Sequence, residues 1–222
     1  MVATTVVPPA TRSPARTRAA GVGLVVGAAA LAVAESIHPQ SAGSGPEGLL
    51  ESFAAHPGRW TLWSLLIMAM AMACLPGVVA WHGRARGRGA RLTTAGAIVF
   101  GAALVAMFSF GESNGEGVGL AGGLDPVPAD VVAAYTRLDS TGVTLFVMFL
   151  IAVPGFHLGL PLLLAGLARA GLVPVWLAVV GGVAALASIG VGGIHPLLGV
   201  AAFLVVAGTL AFLGVRLIRT VG

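Results

Sequence analysis

Five histidines and eight acidic residues are the side chains in this 222-residue chain with the chemistry to hold a metal or move a proton. Three of the histidines, His38, His56 and His195, are each followed directly by proline. Glu35 and His38 are three residues apart, so they share a helix face wherever the chain stays helical that far. Imidazole and carboxylate together suit zinc or another divalent cation, which makes His38, His56 and His195 the candidate metal ligands. The same groups suit general acid-base chemistry, with Glu35, Glu112 and Asp139 as candidate acid or base and His38 or His195 as partner. No HExxH pattern accompanies them. A structural role competes with both readings. A residue before proline is driven out of the helical region and proline favours a first turn, so His56 and His195 also fit the starts of helices.

His157 stands apart from this group. It lies inside an apolar run, where an ionisable side chain is expensive and marks an ion path unless it has a structural task. Such a task exists, because Pro154 and Pro161 leave carbonyls without partners that an imidazole could satisfy. Met68 and Met72, one helical turn apart, have thioethers at a spacing that suits copper, though methionine also serves as an adaptable packing residue. Cys74 is the only cysteine, which excludes an intramolecular disulfide and paired-thiol redox chemistry. Walker A, GxSxG, CxxC and Rossmann glycine patterns are all missing.

The elements that must position these residues follow from composition. Hydrophobic residues make up 57% of the chain and charged residues 9%, against roughly 25% charged in a soluble domain. A helix rises about 1.5 Å per residue and the hydrocarbon core is about 30 Å thick, so a crossing needs roughly 20 apolar residues. Six stretches qualify: Ala19 to Ile37, Trp60 to Trp81, Leu92 to Phe110, Gly142 to Leu167, Val173 to Val191 and Leu197 to Val215. The expected fold is all-α, a polytopic helical bundle with six transmembrane helices, with short interfacial helices in its outer loops. Residues 1–18, rich in Pro, Thr and Arg, are expected to be a disordered cytoplasmic segment, 19–216 a single transmembrane domain and 217–222 a cytoplasmic tail.

All twelve basic residues are arginines, and ten of them flank the spans on one side: Arg12, Arg16, Arg18, Arg84, Arg86, Arg88, Arg91, Arg169, Arg216 and Arg219. Every acid falls on the other side. Positive charge collects in short cytoplasmic loops, so both termini are expected inside and the acids outside. Trp60, Trp63, Trp81 and Trp176 near span ends agree, since indole favours the headgroup layer. Short arginine clusters beside apolar runs exclude a nucleic-acid surface; the partner is a lipid bilayer, expected to be the inner membrane of a bacterium. The basic start and Ala32-Val33-Ala34 before Glu35 also fit a secretory signal with its cleavage site, but the apolar run is long for one.

Two outer segments are singled out. Ser44 to Glu47 has capping-box spacing ahead of Leu49, Leu50 and Phe53, which predicts a short amphipathic helix lying on the bilayer or closing over the bundle. The glycine-rich stretch from Gly111 to Gly123 predicts a mobile segment, a plain flexible connector or a lid over the bundle. Gly23 with Gly27 and Gly155 with Gly159 form GxxxG pairs, faces for close helix approach within the bundle or to a second protomer or membrane partner. The apolar first span, the His-Pro-Gly-Arg-Trp sequence from His56 to Trp60 and the arginine-rich loop from Arg84 to Arg91 resemble small six-span bacterial membrane proteins of unknown function. That resemblance implies a topology and no activity. The functions that remain are a small permease, sensor or accessory membrane component, or a membrane-embedded acid-base or metal-assisted enzyme acting on a lipid or isoprenoid at the outer leaflet.

Overall fold

The computed structural model describes residues 13–39, 45–140, 148–191 and 195–220. Among them every regular element is helical: α1 Pro14–Ile37, α2 Gly45–Ala55, α3 Pro57–His82, α4 Ala90–Ala121, α5 Ala129–Ser140, a π-helical turn Met148–Ala152 leading into α6 Val153–Arg169, α7 Val175–Val191 and α8 Pro196–Arg219. Five helical stretches are long and apolar enough to cross a membrane: α1, α3, α4, Leu150–Arg169 and α8. The sixth apolar helix, α7, has 17 residues, about 26 Å of rise and slightly less than the hydrocarbon core. Residues 142–147 at the start of the fourth expected span, and Ser44 of the expected capping box, lie outside the described residues.

Helix starts follow local chemistry. Ser13 accepts a hydrogen bond from the Arg16 amide at 3.4 Å, and Pro14 occupies the first helical position, so α1 begins before the expected boundary. Disorder is therefore not what residues 14–18 show. The glycine-rich connector is also overturned. Helix α4 runs unbroken through Gly111, Gly115, Gly117 and Gly119 to Ala121, 32 residues in all. At about 48 Å it exceeds the hydrocarbon core by roughly 18 Å. At Gly111 and Gly117 the lack of a side chain is used for contact, whereas Gly115 and Gly119 face open space. A Cβ on Gly117 would strike the Phe53 ring of α2, and one on Gly111 would lie 2.5 Å from Met68 Cγ. The α2 stripe of Leu50 and Phe53 is buried against the protein.

Successive long helices pack side by side and the last returns to the first, in the order α1, α3, α4, α6, α7, α8 and back to α1. The crossings are backbone-close and antiparallel. Gly23 lies on Ala73 and Gly27 on Met70 and Cys74; Gly96 lies on Leu163, Gly159 on Phe100 and Gly166 on Thr93; Gly21 and Gly214 meet each other. Both GxxxG faces are thus occupied by helices of the same chain, which removes them as surfaces for a partner. Outward faces are apolar, as Val26, Leu65, Ile98, Val105, Val179 and Val183 show. This surface and the long apolar helices suit a lipid bilayer. Met72 also points outward at 62% exposure, while Met68 packs on Gly111, so the two thioethers form no copper pair.

Gly159→Val should lower stability by about 1–3 kcal/mol, because a Cβ there would lie 2.5 Å from the Phe100 amide nitrogen, with backbone that cannot move aside. Gly115→Ala has open space around it and should raise stability by about 0.5–1 kcal/mol if that segment is helical. Unfolding in detergent micelles measures both; a loss at position 115 would restore the flexible connector.

Candidate functional site

The end of the bundle formed by the C-terminus of α1, the N-terminus of α3 and the overrun of α4 gathers most of the chemistry. His56 starts α3, where its amide donates to the Ser52 carbonyl at 3.0 Å and its carbonyl accepts from the Trp60 amide at 3.1 Å. The residue is exposed and its imidazole caps nothing. One turn on, the Trp60 indole donates to the Ser52 hydroxyl at 3.0 Å, tying α2 to α3. His38, just past α1, stands edge-on to Trp60 and Trp63 with ring centroids 5.2 and 4.9 Å away. Phe53 closes on Trp60 at 4.9 Å and Phe110 on Trp63 at 5.5 Å. Edge-to-face contacts of this kind add about 0.5–1.5 kcal/mol each beyond burial.

Trp60, Trp63 and Trp81 are buried within the protein, and only Trp176 is exposed. Three of the four tryptophans are therefore packing groups, not headgroup anchors. The Trp63 indole nitrogen and the Ser64 hydroxyl are buried without a hydrogen-bond partner among the described residues. Arg59 donates to the Ile37 carbonyl at 3.0 Å and closes the end of α1. Burial, and then the Arg59 guanidinium, hold the His38 imidazole below its ordinary range.

The residues singled out in the sequence divide. Glu35 lies in the last turn of α1 and His38 just past it, both partly buried. His195 caps α8, its Nδ1 accepting from the Leu197 amide at 3.2 Å, which is the structural role expected of a residue before proline. Glu112 is exposed on α4, and the side chain of Asp139 lies outside the described residues. Among the described residues no three His, Cys, Asp or Glu side chains come together as a metal-holding group. His38, His56 and His195 therefore do not form one site.

Within the bundle, His157 Nδ1 lies 2.6 Å from the Val153 carbonyl, one turn back on its own helix. A carbonyl only accepts, so Nδ1 carries the proton of this bond. Nε2 is buried with no partner among the described residues. The carbonyls that Pro154 and Pro161 leave open are those of Leu150 and His157 itself, so His157 does not repair them. Phe156 and Phe203 stand at 5.4 and 6.2 Å from its ring. Four other buried polar side chains bond to carbonyls three or four residues back: Thr93 to Gly89, Asn114 to Phe110, Thr209 to Val205 and Ser188 to Ala185.

What the sequence did not single out is a cleft of about 530 Å³ above the bundle end, lined by Glu47, Glu51, Ala54, Leu124, Asp125 and Val127 among others. Helix α2 forms one wall, and the chain from Gly123 into α5 forms the other. The spacing of Glu47 and Glu51 carried the signal, since residues four apart share a helix face. Asp125 on the facing wall had no local signature. None of Glu35, His38, Glu112 or His195 lines this cleft. Compared with known proteins, the chain matches no family model, no curated relative and no solved structure.

His38 gives a pH test. With its pKa lowered in the fold from 6.5, the unfolded chain takes up the proton first as pH falls. Stability is then complete above about pH 6.5 and declines below it until the folded pKa is passed. The thermal midpoint in detergent should therefore drop between pH 7.5 and 5, and His38→Gln should flatten that drop. An unchanged slope in the variant would show that His38 does not gain a proton on unfolding.

Proposed function

We propose that this chain is a six-span accessory or sensory component of a bacterial inner membrane, with both termini cytoplasmic, whose extracytoplasmic end recognises a cationic group. The observation that carries this reading is the acid-lined cleft on a sealed bundle. Glu47, Glu51 and Asp125 face it, and Leu124, Val127 and Val132 supply apolar wall. That combination suits an amine attached to an apolar body. The interior supports binding over transport. Among the described residues Thr93, Asn114, His157, Ser188 and Thr209 are engaged with carbonyls three or four residues back, rather than with one another. Segregation of ten arginines to one side and of the acids to the other supports the orientation. The resemblance to small six-span bacterial membrane proteins agrees with it.

The enzymatic reading, with Glu35, Glu112 and Asp139 as acid or base and a divalent metal on the histidines, lacks a shared cavity. His38 packs against two indoles, Glu112 is outside on α4 and His195 is engaged in a cap.

Two measurements test the proposal. Leu120→Cys should react with a membrane-impermeant maleimide added from outside cells, and Gly87→Cys should not, with buried Cys74 silent in both; the reverse pattern would refute the orientation. Spermidine binding by calorimetry should weaken roughly fivefold in Glu51→Gln and again in Asp125→Asn, the size of a solvent-exposed charge pair. Saturable ion flux in proteoliposomes, abolished by His157→Ala, would instead make the chain a permease.

A further inference from the structure

At the opposite end of the bundle from the acidic cleft, three arginines from two separate segments converge. The connector from α3 to α4 turns through Gly87 at φ 59° and Gly89 at φ 100°, conformations that favour glycine. Gly89 also presses on the end of α6. A Cβ there would collide with the Gly166 carbonyl oxygen and lie 2.8 Å from the Ala170 amide nitrogen. This contact seats the connector against the last turn of α6 and places Arg88 and Arg91 beside Arg169. Together with Gly87, Gly89 and Leu92 they line a cleft of about 400 Å³.

No acid lines this cleft. Arg84 at the same end donates to the Ala80 carbonyl and the Thr220 hydroxyl, and Arg86 to the Ala85 carbonyl. Arg88, Arg91 and Arg169 make no such bond among the described residues. Arg169 is well placed at a helix C-terminus, but Arg91 is in the first turn of α4, where the backbone dipole disfavours a cation and no acidic residue offsets it. Three like charges thus surround an open cleft, one of them at the wrong end of a helix, with no acid in the lining to offset them.

We propose that this cleft binds a phosphate group at the membrane boundary. Guanidinium forks match phosphate oxygens in pairs, so three of them surround one group from several sides. Glycine on the floor allows the anion close to the backbone. The position at the ends of apolar helices, with Leu92 as an apolar wall, makes an anionic phospholipid headgroup one source, its acyl chains lying along the bundle. A soluble phosphate compound offers the same chemistry.

The test uses the full chain in nanodiscs of phosphatidylcholine, which carries no net charge. Adding phosphatidylglycerol to the discs should raise the thermal midpoint by roughly 3 °C, a gain of the size that moderate binding gives to a chain of this length. Arg91→Gln with Arg169→Gln should abolish the gain. Arg216→Gln with Arg219→Gln removes the same charge at the same end outside the cleft and should keep it. Millimolar inorganic phosphate in pure phosphatidylcholine discs separates the sources: a gain with phosphate assigns a soluble ligand, and a gain with phosphatidylglycerol alone assigns a lipid. The proposal fails if neither probe stabilises the protein, if the cleft variant keeps the gain, or if both variants lose it equally. Midpoints of both variants in pure phosphatidylcholine show that they fold, since all four arginines lie at the surface or partly exposed.

Discussion

In a bilayer the hydrophobic effect gives one helix no reason to leave lipid for another, so association depends on how closely two backbones approach. Glycine sets that distance in this chain. At Gly21 with Gly214, Gly23 on Ala73, Gly96 on Leu163, Gly159 on Phe100 and Gly166 on Thr93, a single added methyl would fall well inside van der Waals contact with neighbouring backbone. These contacts join α1 to α8, α1 to α3 and α4 to α6. Without them the six helices would have no reason to close into a ring. The remaining geometry, including both charged ends, hangs on that closure.

Closure has an electrostatic consequence. A chain with twelve arginines and eight acids cannot place them in lipid, so they are driven to the helix ends. The loops then decide what each end becomes. At the arginine end the α3 to α4 connector has seven residues, 83–89, and its charges stay close to the backbone turns. At the acidic end α4 outruns the hydrocarbon core, and its excess length gives α2 a surface to fold against through Phe53 on Gly117. The acid-lined cleft exists because that overrun holds α2 above the bundle.

Much of this was legible in the sequence, for a physical reason. Apolar runs interrupted by charge can be read one helix at a time, because a membrane helix satisfies its own backbone bonds. The existence of α2 was legible in the same way, from Pro46, Glu47 and the apolar spacing after them. What failed were inferences about glycine. The run from Gly111 to Gly119 reads as a flexible connector by propensity, yet it is helical, and at Gly111 and Gly117 the space that side chains would need is filled by Met68, the Ser64 carbonyl and Phe53. The GxxxG pairs were correctly read as contact faces, but a spacing within one helix does not say which helix it meets. The tryptophans failed likewise: position near a span end was visible, but packing of Trp60 and Trp63 on His38, Phe53 and Phe110 depends on three segments meeting.

The candidate site shows the same division between local and assembled information. His195 behaved as its following proline required, a property of two adjacent residues. The shared helix face of Glu35 and His38 required α1 to continue to His38, and it ends at Ile37. The partnership of these with Glu112 and His195 was a statement about where four helix ends meet, and the ring sends Glu112 outward. The two clefts lie at the ends of the bundle, each built from segments distant in sequence: Glu51 with Asp125 at one end, Arg91 with Arg169 at the other. Their opposite charge is a product of the same segregation that orients the helices. Both clefts therefore lie where charge had to go in any case, and it is the loop geometry, glycine-seated at one end and helix-propped at the other, that turns a charged rim into a concave surface.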